Sequence, residues 1–570
     1  MLRESDPRLV AESVVLGVVG ALAAQAFTWA LRFCGHIFLV GLARYSPPGL
    51  PEEGGVLKQV IGPHGLWLIP VATTLGGLIS GWLVYTWAPE AEGHGTDTVV
   101  KAFHRASGFI RARVAPLKLV ASAITIGSGG SAGREGPTAL IGAGVGSLYA
   151  TLTHRGDEER EILLLAGMAA GLSAVFRSPI GSAFFAIEVL YSSMEFEARG
   201  LLYTMLASIV AYAVNGFFVG WRPLFYFRAT PGNIPALDYA WLGGLGLAGG
   251  VIATLLPVVF YRVRDFFRAL PVPAILNPAI GGFAVGMIAL EFPQILGGGY
   301  GWIQEAMDGR LALKILLVLM FLKILAFACT VSSGGSGGIF APTLFVGAML
   351  GGAVASLSGL PTAMFVVLGM LSTFGAAARV PIASLLMVTE MTGGYQLLAP
   401  AAFAVLLSYL VQSQLSQRLK YNSMYEAQVP GRAQSPARYM ENIQLALRLL
   451  RTEQIPSLMS VGHLDLVSVL DSGLPVRMPG RRELSLGLLH PQSALVGKTV
   501  QACYEAAAGA TLEIIAILRN DEVLLPKPDT VLQQNDRMLI IGSRKVRARL
   551  AGHFVPLDTK GQGPHGGSKT

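Results

Sequence analysis

The chain has 570 residues, of which 52 % are hydrophobic and only 14 % charged, with a formal net charge of +8. Its mean hydropathy is +0.54, whereas an ordinary soluble chain carries roughly 25 % charged residues. Too few charges remain to coat a soluble surface of this size, which excludes a soluble enzyme, a disordered chain and a disulfide scaffold.

The polar start MLRESDPRLVAES leads into a first apolar run. Its Ala-rich text at 21–26 resembles a signal-cleavage site, but Glu12 interrupts the start and many further spans follow, so a retained first span is expected. Apolar runs cover 9–32, 64–88, 161–176, 200–219, 239–261, 276–291, 312–331, 363–377 and 398–413. Several fall short of the ~20 residues that a perpendicular span needs, and many end in Gly, Pro or Ser. That pattern predicts tilted and broken helices. Irregular backbone at membrane depth is tolerated only where protein buries it or where it lines a cavity.

After about Tyr425 the composition changes. Residues 430–570 hold 17 Lys and Arg against 12 Asp and Glu, so this part is expected in the cytosol. Residues 440–453 (MENIQLALRLLRTE) have helical periodicity and fall in a linker spanning 430–482. Short β-like runs follow at 513–518, 523–525 and 538–541, with Asn520-Asp521 as a turn signal, and predict a small α+β domain over 483–556. Residues 557–570 read as a disordered tail. Cys34, Cys329 and Cys503 are far apart and read as structural, and the nine histidines form no metal motif. No nucleic-acid partner is expected from so modest a positive charge.

An internal repeat organises the membrane part. SGGSAGREGPTALIG at 128–142 matches SGGSGGIFAPTLFVG at 333–347 in eight of fifteen positions, at an offset of 205. A second pair, at an offset of 202, aligns Arg177, Pro179, Ile180 and Glu188 with Arg379, Pro381, Ile382 and Glu390. Two matches in the same order define two related halves. Repeated membrane halves are typical of transporters, with the site at the repeat interface.

The chemistry of the repeat follows from its residue types. Each copy is a Gly/Ser loop, then a Pro, then an apolar helix. Pro suits the first helical turn, and Gly lets backbone approach a ligand. The helix N-terminus offers unpaired N–H groups and roughly +0.5 charge. Two such termini meeting at mid-membrane make an anion site without a buried cation. Packing by small residues is the plainer alternative, but it requires neither a fixed Pro nor a Glu. Glu135 stands where the second copy has Phe340. A carboxylate beside an anion site competes with the anion when charged and leaves when protonated, so Glu135 reads as a gate; the alternative is a salt bridge to Arg134.

GREGP at 133–137 and GIFAP at 338–342 closely resemble two signature motifs of the CLC chloride channels and chloride/proton antiporters. A third motif reads GHGTD at 93–97, where many members have GSGIP, and Tyr425 in NSMYEAQ matches the central tyrosine of the last membrane helix. The resemblance covers about 10–429, within a transmembrane domain taken as 1–429. It implies an all-α multi-span protein of tilted, broken helices in two halves, in the inverted arrangement usual for such repeats. It also implies a homodimer in the lipid bilayer with one chloride pathway per subunit, and no cofactor. By position, Glu135 is the gating glutamate. The anion-binding set is then Gly93, His94, Gly95, Arg134, Gly136, Gly338, Ile339, Phe340, Ala341 and Tyr425.

Two departures matter. His94 replaces the family's serine ligand, which puts anion preference and pH response in question; His94 can alternatively point away and only pack. Antiporters of the family commonly carry a proton-transfer glutamate where this chain has Val189. Glu188 beside it reads as structural, like its repeat mate Glu390.

Within 486–550, LVGKTVQAC, IIAILRN and LLPKPDTVLQQNDRMLIIG resemble the RCK C-terminal (TrkA-C) domain of potassium transporters and channels. That likeness implies a dimerising module able to bind a small nucleotide-type ligand, or one that only stabilises the dimer. The leading expectation is a chloride channel, not an enzyme, in a prokaryotic plasma membrane, gated by Glu135 and modulated by the tail. A chloride/proton antiporter is the close rival. A potassium transporter lacks a four-fold set of filter loops. A hydrolase using Ser128 or Ser131 lacks a base, since His104 and His154, nearest in sequence, pair with nothing recognisable.

Overall fold

A computed structural model describes residues 7–53, 55–227, 235, 238–432 and 435, and in the C-terminal part 476–478, 482–489, 493–506, 512–519, 522–524, 526–534, 536–543 and 554–555. It divides into two units, Met1–Arg432 and Ala433–Thr570. The helix expected at 440–453, the turn at 520–521 and the tail at 557–570 lie outside the described residues.

The first unit is helical. Its helices in the first half are α1 (Pro7–Gly35), α2 (Ile69–Trp87), α3 (Thr96–Arg105), α4 (Val114–Gly127), α5 (Glu135–Leu152), α6 (Asp157–Phe176), α7 (Pro179–Glu188) and α8 (Leu201–Val219). Those of the second are α9 (Asp238–Ala269), α10 (Asn277–Ala289), α11 (Tyr300–Met307), α12 (Leu313–Ser332), α13 (Phe340–Ser358), α14 (Thr362–Ala377), α15 (Pro381–Thr392) and α16 (Leu398–Ser416). Every apolar run of the sequence falls on one of them. Among the described residues, seven helices are long and apolar enough to cross a membrane, while α4, α10, α14 and α15 are apolar but shorter. The chain is thus a multi-pass integral membrane protein with broken spans.

Packing repeats with the sequence. In the first half α5 packs on α6, α6 on α8, α1 on α6 and α3 on α5; in the second α13 packs on α14, α14 on α16, α9 on α14 and α11 on α13. Between the halves α2 meets α10, α5 meets α13 and α7 meets α15. An element can meet its own counterpart only near the axis that relates two copies. At that axis Gly133 and Gly338 exchange both backbone hydrogen bonds, 2.7 and 2.6 Å, as an antiparallel pair. Equivalent residues paired antiparallel run in opposed directions, as in two halves related by a two-fold axis.

Reciprocal caps hold the same axis. Glu188 accepts from the amides of Ile382 (3.2 Å) and Ala383 (2.6 Å) at the start of α15. Glu390 accepts from the amides of Ile180 (3.2 Å) and Gly181 (2.8 Å) at the start of α7, and from the Ser178 hydroxyl at 2.6 Å. Each carboxylate thus satisfies N–H groups that a helix start leaves unpaired. Close crossings also repeat. A Cβ on Gly142 would stand 2.2 Å from the Gly167 carbonyl, and one on Gly347 would stand 2.3 Å from that of Gly369. Only Gly permits such backbone contact.

The second unit carries a mixed-order antiparallel sheet. The strands Val476–Met478, Arg482–Leu489, Arg537–Ser543, Leu512–Arg519 and Glu522–Leu524 lie side by side in that order, and Phe554–Val555 pairs with Arg482–Leu489. Cys503, on the helix Val500–Ala506, packs with Ile514, Ile517, Leu532 and Met538. Arg519 grips Asp536 through two 2.8 Å bonds and also donates to the Val531 carbonyl. All three cysteines are free thiols.

Candidate anion pathway and its gate

The repeat brings two helix starts together. Glu135 is the first residue of α5 and Phe340 the first of α13, each just after the paired Gly133 or Gly338. Glu135 does not pair with Arg134. Its Oε2 accepts from the Ala341 amide at 3.4 Å, so the carboxylate sits on the N-terminus of α13. Its Oε1 accepts a short hydrogen bond from the Tyr300 hydroxyl. Arg134 instead forms a short ion pair with Glu53, and its guanidinium lies 5.2 Å from the centre of the Tyr300 ring.

Glu135, Gly136, Thr96, Ile339, Phe340 and Tyr425 surround a small enclosed space of about 10 Å³, close to what one water needs. Tyr425 is 2 % exposed, and Thr96 lines the same space beside it. The segment carrying Tyr425 is fastened by Asp97, which accepts from the Ala427 amide at 2.9 Å. Aromatic rings wall the space: Phe340 lies 4.6 Å from Phe176 and 4.3 Å from Phe374, centre to centre.

His94 lies one step away. It lines a vestibule of about 580 Å³ together with Gly93, Gly95, Lys101, Arg264 and Phe260. Its ring is 7 % exposed, stands 5.4 Å from that of Tyr425, and its Nδ1 has no hydrogen-bond partner among the described residues. The carbonyls of the GHGTD loop are held elsewhere: Gly93 O accepts from Lys118 Nζ at 2.6 Å and from the Gly337 amide at 3.2 Å. A carbonyl aimed at an anion would repel it, so this arrangement favours N–H groups on the pathway side. A Cβ on Gly136 would fall 1.8 Å from the His94 carbonyl, so Gly there lets the loop lie against α5.

Several participants were not legible in the sequence. Lys118 Nζ donates to Ala91 O (2.9 Å) and Gly93 O; in the other half Lys323 Nζ donates to Ile295 O and Gly297 O, both 2.7 Å. Each is a fully buried cation satisfied by two carbonyls. The offset of 205 between Lys118 and Lys323 was a usable signal. Thr96 and Tyr300 were missed as well. Val189 is fully buried at the end of α7. Of the serines weighed as nucleophiles, Ser128 donates to the Thr125 carbonyl and Ser131 Oγ has no hydrogen-bond partner among the described residues, while His104 contacts the Leu190 carbonyl.

The fold and the paired helix starts define an inverted-repeat membrane transport protein. A family model described as voltage gated chloride channel matches residues 76–413, more than half of the chain, and one described as TrkA-C domain matches 488–554. The chain belongs to the CLC, or voltage gated chloride channel, family and carries a TrkA-C domain. The voltage-gated ClC-type chloride channel ClcB of Salmonella typhimurium is 28 % identical over 423 residues, which is 72 % of this chain and 97 % of that one. ClcB of Escherichia coli O127:H6 is equally similar, over 72 % of this chain and 96 % of its own. In fold, the chain resembles a CLC-type fluoride/proton antiporter (TM-score 0.62, 23 % identity, 75 % of this chain and all 100 % of that one). It also resembles a slow cyanobacterial chloride/proton antiporter (TM-score 0.64, 21 % identity, 73 % and 96 %).

Proposed function

We propose that this chain forms a homodimer in a prokaryotic plasma membrane, with one passive pathway for chloride or a similar small anion in each subunit and Glu135 as its gate. The observation that carries this reading is the Glu135 carboxylate resting on the Ala341 amide at the start of α13. That is where a helix N-terminus would hold an anion. A charged carboxylate there excludes the anion, and a protonated one gives way. Val189, with no titratable group, and the channel names of the ClcB relatives support passive flow. The second unit is read as a cytosolic module that modulates flux through a small nucleotide-type ligand or by stabilising the dimer. Titration of a nucleotide ligand against flux, with and without residues 483–556, separates these, and an unchanged flux response would remove the ligand reading.

Glu135→Gln tests the gate. Chloride efflux from proteoliposomes is expected to persist in the variant and to vary by no more than about twofold between about pH 5 and pH 8. A pH dependence equal to the parent's would remove Glu135 from gating.

Coupled exchange of chloride for protons is the second reading, and one observation favours it. Glu197 is buried beside the end of α7, where its amide donates to the Ile187 carbonyl at 3.3 Å and its carboxylate accepts from the Tyr191 hydroxyl at 2.9 Å. Glu197 thus contacts Ile187 and Tyr191, on either side of Val189, and its carboxylate also pairs with Arg432 at 3.4 Å.

A further inference from the structure

The inverted halves have a third pair of matching loops, hidden at the level of sequence. Lys118 and Lys323 are repeat mates, and each holds two carbonyls of the loop before it. Lys118 thereby marks the loop 91–95, and Lys323 marks 295–299. Within them Gly93 and Gly297 both have positive φ (70° and 56°), as do Gly95 and Gly299 (85° and 77°). The next residue starts a helix in each case: Thr96 begins α3 and Tyr300 begins α11. Tyr300 is therefore the inverted counterpart of Thr96. Both side chains converge on the same place. Thr96 lines the enclosed space beside Tyr425, and Tyr300 donates its hydroxyl to Oε1 of Glu135, which lines the same space.

From this geometry we infer that Tyr300 is a positioning residue for the gate: its hydroxyl latches the Glu135 carboxylate in the closed place on the start of α13. The inference rests on the reading of Glu135 as the gate. The latch is itself braced. The Arg134 guanidinium lies over the Tyr300 ring and is tied to Glu53, and Phe225 packs against the ring at 5.9 Å. The Tyr300 hydroxyl can donate one hydrogen bond and so favours a charged carboxylate over a protonated one. The other groups facing Glu135 are Arg134 on its own loop, Lys323 on α12 and Tyr425, while Glu53 on the segment Pro51–Glu53 faces Arg134 and Tyr300. None of them is altered by removing the Tyr300 hydroxyl.

The test is Tyr300→Phe in the full chain, which keeps the ring and deletes the latch. Chloride efflux from proteoliposomes is followed across pH, at equal pH on both sides, with voltage clamped by potassium and valinomycin. A hydrogen bond to a charged group is worth enough to move the midpoint of the flux–pH curve upward by about one unit. The same change in a Glu135→Gln background is expected to move nothing, because the latched charge is already gone. Elution as a single species in detergent checks the fold. Tyr300→Leu, which also lacks the hydroxyl, is expected to shift the curve in the same direction. An unmoved midpoint in Y300F, with E135Q still flattening the curve, would overturn the latch and leave the gate. A curve that E135Q leaves unchanged would overturn both.

Discussion

On the proposed reading, His94 sets part of the character of the pathway. It takes the place of a serine hydroxyl in the GHGTD loop, and the fold puts its ring between the vestibule and Tyr425. Its Nδ1 is buried without a partner, so the ring keeps one polar atom to offer a passing anion or water. A neutral imidazole donates from one nitrogen only, whereas a hydroxyl reorients freely, so the two favour different anions. His94→Ser is expected to change the ratio of chloride to nitrate permeation by about threefold or more, an effect of well under one hydrogen bond. Equal ratios in parent and variant, measured as anion fluxes from the same vesicles, would place His94 outside the pathway. Glu135 and Tyr425 were legible in sequence because they stand in recognisable motifs. Tyr300 was not, since its partner lies 165 positions away and nothing local announces the contact.

Helices and loops act in pairs throughout. α7 and α15 each carry in their last turn the carboxylate that caps the other, so neither start is left with bare amides in a water-poor interior. The two caps have closely similar chemistry, and symmetry makes their contributions comparable. Glu188→Gln and Glu390→Gln are each expected to lower stability in detergent by roughly 2 kcal/mol, from a weakened pair of charge-assisted bonds. Denaturation followed by tryptophan fluorescence would check this, and a large loss for one with none for the other would argue against reciprocal capping. The offsets of 205 and 202 made these pairs visible before any coordinates. The loops 91–95 and 295–299 escaped because only their glycines match. What they share is backbone conformation, positive φ at two glycines, and a buried lysine some twenty residues on.

At the scale of the molecule, the sequence-level expectation of two halves, broken spans and a separate α+β unit agrees with the fold. The offsets themselves carry no sense of inversion, which was expected because it is usual for such repeats; the antiparallel pairing of Gly133 with Gly338 agrees with it. Inversion explains the design. Both helix starts face one small space, and on the proposed reading the side chain at the start of α5 is the plug. The central claim is that anions pass this plug without paying out protons in fixed ratio. The most direct measurement loads proteoliposomes with chloride, imposes an outward chloride gradient, clamps voltage with potassium and valinomycin, and records chloride and proton movement together. The account expects chloride efflux with no accompanying proton movement. Proton uptake against its own gradient, driven by the chloride gradient, would contradict it and establish coupled exchange.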